Sequence, residues 1–431
     1  MLNWVWKCLF MSRGLLKNWL GSLLILVLLG SVTTCFLTSR TQTRAANSHN
    51  PELFGVGEPL MSRSIWEIFS LQHAFDALSS LGVKRLREMT WMSLLLTNQT
   101  AVNPTNAQIL ESVISNMTAS NITIMGYAQD FPNWMTGIYG GDSQTAPYRN
   151  MTSGSDYMSF LQKYNESWQT LASNFSSITM WEIGNEYNAD PFLHPQGYNR
   201  TTGSPNFTDT EKAEITTDLL YYGSSGVHRG NPNATTVLGG LSPGSGLNEI
   251  ADFLEKIYDN IDSGLWPSSD SNDYFQIACW HPYLWTVEPN STNWVNPNEA
   301  IYEVMNSHGD GGKRVVFSEF GYNDNDNSQE DVANYLDEAF QLARDNFQWL
   351  DTIYWFRLVE PDPNTTSTEN PPGFGLINLN WTWKPVAQTY KNLIIPEYPS
   401  VVVLPLIIAI IAITLVTALV YRRRRSVHSR L

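Results

Sequence analysis

Short apolar runs rich in β-branched and aromatic residues recur through the middle of the chain, each followed by a longer stretch whose apolar positions fall three and four apart. The first pattern is that of a buried strand, the second that of an amphipathic helix. Strands are predicted at 53–57, 83–89, 122–129, 177–184, 236–240, 275–281, 315–319 and 352–356. Helices are predicted at 71–81, 106–115, 156–175, 208–228, 247–260, 300–307, 328–346 and 385–393. Eight alternations predict an α/β chain folded as a (β/α)8 TIM barrel. A Gly-rich phosphate loop after the first strand would suggest an open dinucleotide-binding sheet, and the sequence has none there.

Two apolar stretches stand outside this alternation. Residues 401–420 are uncharged, and Tyr421 is followed by Arg422, Arg423, Arg424 and Arg425, the pattern of a transmembrane helix with a stop-transfer flank. The positive-inside rule then places the arginines in the cytoplasm and the barrel outside the cell. Residues 19–37 follow Lys7, Arg13 and Lys17 and read as a signal peptide or signal anchor. The expected organisation is a stub, signal or anchor and linker at 1–44, a barrel domain at 45–394, a linker at 395–400, a membrane helix at 401–421 and a basic tail at 422–431. Twelve N-x-S/T sequons, from Asn98 to Asn380, all lie between the apolar stretches and agree with export to a cell-membrane location with the catalytic domain extracellular.

All 41 acidic residues also lie within residues 45–400, whereas ten of the 26 basic ones fall outside that span. So acidic a domain repels phosphate, which excludes nucleic acid as a partner. Of three cysteines only Cys279 lies in the barrel segment, so that segment has no internal disulfide and no cysteine cluster for metal. The seven histidines show no paired ligand spacing. No metal or cofactor is expected.

In a barrel of this kind chemistry gathers at the C-terminal ends of the strands. Glu186 ends the stretch Trp181-Glu182-Ile183-Gly184-Asn185-Glu186 after the fourth predicted strand, and Glu319 ends the seventh. Hydrolysis of a glycosidic bond needs one carboxyl group that holds a proton for the leaving oxygen and one that stays ionised to attack. Glu186 is the candidate for the first role and Glu319 for the second, with Arg87 at the end of the second strand as the cation beside it. Retention of configuration calls for carboxyl groups about 5–5.5 Å apart. Glu182, on the body of its strand, is read as structural. Trp355 on the eighth strand and Trp134 after Pro132-Asn133 are candidate surfaces for a sugar ring.

The chain resembles glycoside hydrolase clan A, the barrel enzymes that include cellulases, mannanases, β-xylosidases and β-glucuronidases. Trp181-Glu182-Ile183-Gly184-Asn185-Glu186 is similar to the strand-four motif, and Ser318-Glu319-Phe320-Gly321 to the strand-seven motif. The resemblance implies that Asn185 binds the sugar 2-hydroxyl, that Glu186 is acid/base and that Glu319 is the nucleophile. It also implies that Arg87 is the strand-two arginine and that Tyr283, in Trp280-His281-Pro282-Tyr283, hydrogen-bonds the nucleophile. His281 is expected in the pocket, and Trp355, in Tyr354-Trp355-Phe356, under the sugar. The resemblance leaves the family within the clan open, because no β-sandwich is expected between the barrel and the membrane helix.

The expected function is therefore a membrane-anchored retaining glycoside hydrolase acting on an oligo- or polysaccharide. A cell-wall transglycosylase and a non-catalytic carbohydrate-binding surface protein are the rival readings.

Overall fold

Eight short strands, buried on both faces, run parallel in one sheet: β1 (Phe54–Gly57), β2 (Arg85–Met89), β3 (Thr123–Ala128), β4 (Met180–Ile183), β5 (Thr235–Leu238), β6 (Ala278–Cys279), β7 (Val315–Phe320) and β8 (Leu350–Phe356). Each pairs with its neighbour in sequence, and β8 pairs with β1 through Phe54–Ile353 to Gly57–Phe356. Bridges Val237–Ile277 and Leu241–Trp280 join β5 to β6 and close the ring. Burial on both faces explains why the strands read as apolar runs rather than as alternations.

The computed structural model describes residues 51–395 except 68 and 363–370, together with residue 414. Both apolar stretches, 19–37 and 401–420, lie outside the described residues. Among the described residues no helix is long and apolar enough to cross a membrane. The barrel unit runs from Asn50 to Ile395.

Eight helices cover the sheet: α1 (Leu71–Leu81), α2 (Pro104–Ala119), α3 (Asp156–Asn174), α4 (Asp209–Gly230), α5 (Asn248–Asp262), α6 (Asn296–Ser307), α7 (Gln329–Asn346) and α8 (Pro385–Ile394). Several starts are written locally. Ser70, Asn103, Ser155, Thr208 and Ser328 each accept a backbone N–H of the first turn, and Thr208 with Glu211 forms a capping box. Between α3 and α4 the backbones come so close that a Cβ on Gly226 would sit 2.2 Å from the Asn165 carbonyl oxygen.

That contact corrects one reading of the sequons. Asn165 is buried, and its side-chain amide donates to the Tyr222 carbonyl, so it is not an acceptor in the folded barrel. Asn121, Asn150, Asn206 and Asn290 are among those that are exposed.

Two differences from the predicted elements bear on the site. β6 keeps only two ladder residues where seven are predicted, because the N–H groups of Gln276 and Ile277 both donate to the Thr236 carbonyl and bulge the strand. An unforeseen helix, Leu60–Trp66, lies between β1 and α1. The buried Glu88 carboxylate accepts the N–H groups of Leu60 and Met61 at 3.0 and 2.9 Å and docks that helix on the barrel mouth.

Candidate active site

Glu182 anchors the floor of the site from inside β4. It is fully buried, and its carboxylate accepts Arg87 Nε–H at 2.6 Å, Arg87 Nη2–H at 3.0 Å, the Gly240 N–H at 3.0 Å and the Ser318 hydroxyl at 2.8 Å. A buried carboxylate is tolerated only when satisfied in this way. Arg87, locked on Glu182, uses its remaining donors on the rim. Nη1–H donates to Glu319 Oε1 and Nη2–H to Asn185 Oδ1, both at 2.6 Å. The guanidinium also lies over the Tyr127 ring, 3.6 Å from its centre.

After β4 the chain makes a tight turn in which Gly184 (φ 89°) and Glu186 (φ 51°) are both left-handed. A Cβ on Gly184 would lie 2.3 Å from the Tyr187 ring, so only glycine fits. For glutamate the conformation is strained, and the Glu186 N–H is held on the Gly240 carbonyl at 2.8 Å. From this turn the Glu186 side chain reaches His281 and the cavity.

Glu319 lies near the end of β7. Tyr283, just past β6, donates its hydroxyl to Glu319 Oε2 at 3.0 Å, while His281 Nδ1 stands 2.8 Å from Glu186 Oε1 and 3.8 Å from Glu319 Oε2. Carboxylate oxygens of Glu186 and Glu319 and a ring nitrogen of His281 all lie within 4.8 Å of one another. Both carboxylates reach a cavity of ≈ 390 Å³ that also touches Arg87, Asn185 and Tyr127. Gly240 makes room for this arrangement, since a Cβ there would be 2.1 Å from His281 Nε2.

Charges in the site reinforce each other. Burial pushes the Glu319 carboxyl up, but the positive charges of His281 and Arg87 and the bonds from Arg87 and Tyr283 outweigh it and hold Glu319 below the ordinary carboxylate value. Burial pushes His281 down, and the charge of Glu319 with the bond to Glu186 outweighs that and raises it. Tyr283 is pushed well up, first by burial and then by both glutamates, so its hydroxyl remains a donor.

Ligand atoms suited to a metal come together in two sets among the described residues, Glu186 with His281 and Glu319, and Glu182 with Cys279 and His281. His281 belongs to both, and its two ring nitrogens already face Glu186 and Ser318. A cation would have to break one of these bonds.

Two expected sugar-stacking residues are elsewhere. Trp355 is fully buried outside the cavity, with its indole N–H on the Phe374 carbonyl at 3.0 Å and its ring against Phe320. Phe356, one residue on, faces the cavity instead. Trp134 packs against the core and does not line the cavity. His281 and Tyr283 touch the two glutamates rather than the open space of the cavity.

Glu58, Trp66, Trp91, Gln129 and Phe192 line the cavity and are absent from the sequence-based candidates. Glu58, Trp91 and Gln129 follow β1, β2 and β3 within two residues, so the strand-end rule that picked out Glu186 also applied to them.

No family model matches the chain, and no curated protein matches it. Solved structures do. A family 39 glycoside hydrolase from Bacteroides cellulosilyticus superposes with TM-score 0.58 at 18% identity, over 80% of this chain and 64% of that one. A subfamily 18 member of glycoside hydrolase family 5 from Streptomyces cattleya, in complex with Manβ1-4GlcNAc, gives 0.54 at 14% over 79% of each. Xylanase 10B from Thermotoga maritima gives 0.53 at 12% over 80% and 95%. The chain thus has the barrel fold of the clan A glycoside hydrolases, and it spans about two thirds of the length of the family 39 enzyme.

Proposed function

We propose that the protein is a retaining glycoside hydrolase that cleaves O-glycosidic bonds by double displacement. The observation that carries this reading is the pair of carboxylates, Glu186 and Glu319, with oxygens within 4.8 Å of each other at one cavity. That spacing suits attack by a carboxylate and is too small for an inverting pair with water between them.

Glu319, kept ionised by Arg87 and His281, attacks the anomeric carbon while Glu186 protonates the leaving oxygen. Water then enters, Glu186 takes its proton, and the glycosyl ester on Glu319 is released with net retention. Ser318 determines how His281 takes part. Its hydroxyl donates to Glu182, so it can only accept from His281, which fixes the proton on Nε2. Nδ1 faces Glu186 and can either accept its proton or donate to its carboxylate, so the pair shares the proton that Glu186 must release and recover.

Proton NMR during turnover tests the reading. The first sugar released should have the anomeric configuration of the substrate, and release of the opposite anomer would exclude Glu319 as nucleophile.

The shifts at Glu319 and His281 give a pH signature. Glu319 is held below 4.5, so the acid limb of kcat/KM should lie below that pH and move up in His281→Asn, where Arg87 is the one positive charge left of the two that lower it. Stability follows the same pair. The share from Glu319 is present above about pH 4.5 and lost as pH falls through its lowered value, whereas the share from His281 is present below about pH 6.5 and lost as pH rises through its raised value. Wild-type Tm should therefore exceed that of His281→Asn most between those two pH values. An acid limb that stays in place in the variant would remove His281 from the account.

The substrate class we assign is an oligo- or polysaccharide, a reading supported by the Manβ1-4GlcNAc bound in the family 5 neighbour. We also assign the barrel to the outside of a cell membrane, on the strength of residues 401–420, the arginines that follow and the exposed sequons. Protease added to intact cells tests this, since a barrel left uncut would place it inside.

A further inference from the structure

Two polar atoms on residues that line the cavity have no hydrogen-bond partner among the described residues. They are the indole N–H of Trp91 and the side-chain amide oxygen of Gln129. Trp91 is 7% exposed and Gln129 is 2% exposed, so neither group is hydrated from bulk. A buried donor or acceptor left unpaired costs about 1–3 kcal/mol, and such groups in a native protein call for an explanation. Here one is a donor and the other an acceptor, they follow adjacent strands β2 and β3, and both line the cavity that Glu186 and Glu319 reach. Sugar hydroxyls supply both complements.

The ring surfaces beside them suit a pyranose. Trp66, 57% exposed on the helix docked by Glu88, meets Trp91 edge to face at 5.9 Å and 69°, and it lines the same cavity. A sugar placed there has an apolar ring for its C–H face and lies beside the two residues that carry the unpaired donor and acceptor.

The ionic groups restrict the sugar further. Among the described residues four carboxylates line the cavity, Glu58, Glu67, Glu186 and Glu319, against two guanidiniums, Arg63 and Arg87. Every guanidinium nitrogen is already committed. Arg63 Nε donates to Glu67, Nη1 to Glu58 and the Val359 carbonyl, and Nη2 to the Glu360 carbonyl. Arg87 is spent on Glu182, Glu319 and Asn185. A uronate or sulfated sugar would bring a negative charge to a site with no uncommitted guanidinium among the described residues, which costs more than a neutral ring of the same shape.

The geometry points to a glycone subsite for an uncharged pyranose, in which Trp91 Nε1–H donates to one sugar oxygen and Gln129 Oε1 accepts from a sugar hydroxyl. This rests on the glycosidase reading and narrows its substrate.

The test uses the full-length protein, 4-nitrophenyl glycosides of both anomers (glucoside, galactoside, mannoside, xyloside and glucuronide), and the variants Trp91→Phe and Gln129→Leu. Wild type should turn over neutral glycosides and leave the glucuronides. Each variant should lose about 10- to 100-fold in kcat/KM on the preferred glycoside. Both should keep or raise Tm, because each substitution removes a group that is unpaired in the free protein. A fall of several degrees in both would mark the side chains as structural and overturn the subsite, as would undiminished kcat/KM or a preference for the glucuronide. Saturation-transfer NMR with the same glycosides reads binding apart from turnover. Neutral glycosides that bind wild type, fail to bind both variants and are never hydrolysed would keep the subsite and sink the glycosidase reading, whereas no binding and no turnover by any glycoside would end both.

Discussion

Glu319→Gly is expected to lower kcat by about 10⁴-fold or more, and added azide should restore turnover of an activated aryl glycoside. Removing the side chain takes away the attacking oxygen and leaves a hole on the face of the sugar it occupied. Azide that enters there attacks from that face and gives the glycosyl azide of inverted configuration. Glu186→Ala should behave differently. An aryl leaving group needs little protonation, so formation of the glycosyl ester survives while its hydrolysis slows by about 10²–10⁴-fold. Azide then intercepts the ester and gives the product of retained configuration. The two azide products thus assign the two carboxylates separately. The same anomer from both variants would mean that the glutamates share one role, and wild-type activity in either would remove that residue from catalysis.

These two residues were readable because the sequence puts glutamates where a parallel strand ends, in stretches whose neighbours are forced to be special. Gly184 is required by the left-handed turn against Tyr187, and Ser318 is required to bridge Glu182 and His281. Other parts of the site carry no such mark. Trp91 and Gln129 are ordinary residues at strand ends, and their role is visible only once the cavity shows an unpaired N–H and an unpaired carbonyl oxygen. The helix Leu60–Trp66 starts after Pro59 with no side-chain cap and is held by Glu88 and by Arg63 between Glu58 and Glu67. Contacts from distant parts of the chain, rather than local propensity, hold it in place, so the position of Trp66 could not be read from the sequence.

The misplacement of Trp355 has a simple cause. Tyr354, Trp355 and Phe356 are all aromatic, and a strand covered on both faces has no polar residue to show which way it alternates. The pairing with β1 fixes the phase, since Tyr354 crowds Gly55 inside the barrel and Trp355 must then point to the helices. Phe356 shares the inward phase and meets the cavity. A shift of one residue thus exchanges an indole for a phenyl ring at the cavity.

Arg87→Met is expected to cost about 3–5 kcal/mol in urea denaturation, because it leaves the Glu182 carboxylate buried without its counter-charge. Arg87→Lys should fall between the variant and wild type. A single ammonium can satisfy Glu182 or reach Glu319, whereas the guanidinium forks to both and to Asn185. Adding Glu182→Gln to Arg87→Met removes the orphaned charge and should recover about 0.5–3 kcal/mol of the loss. Turnover should not recover with it. In the double variant Glu319 still lacks the cation at its Oε1, and Asn185 still lacks the donor that orients its amide toward the cavity. Stability and catalysis therefore separate at this residue. The bond to Glu182 belongs to the fold, and the two bonds beyond it belong to the chemistry. If the double variant regained activity along with stability, Arg87 would be a structural residue only, and the ionisation of Glu319 would depend on His281 and Tyr283.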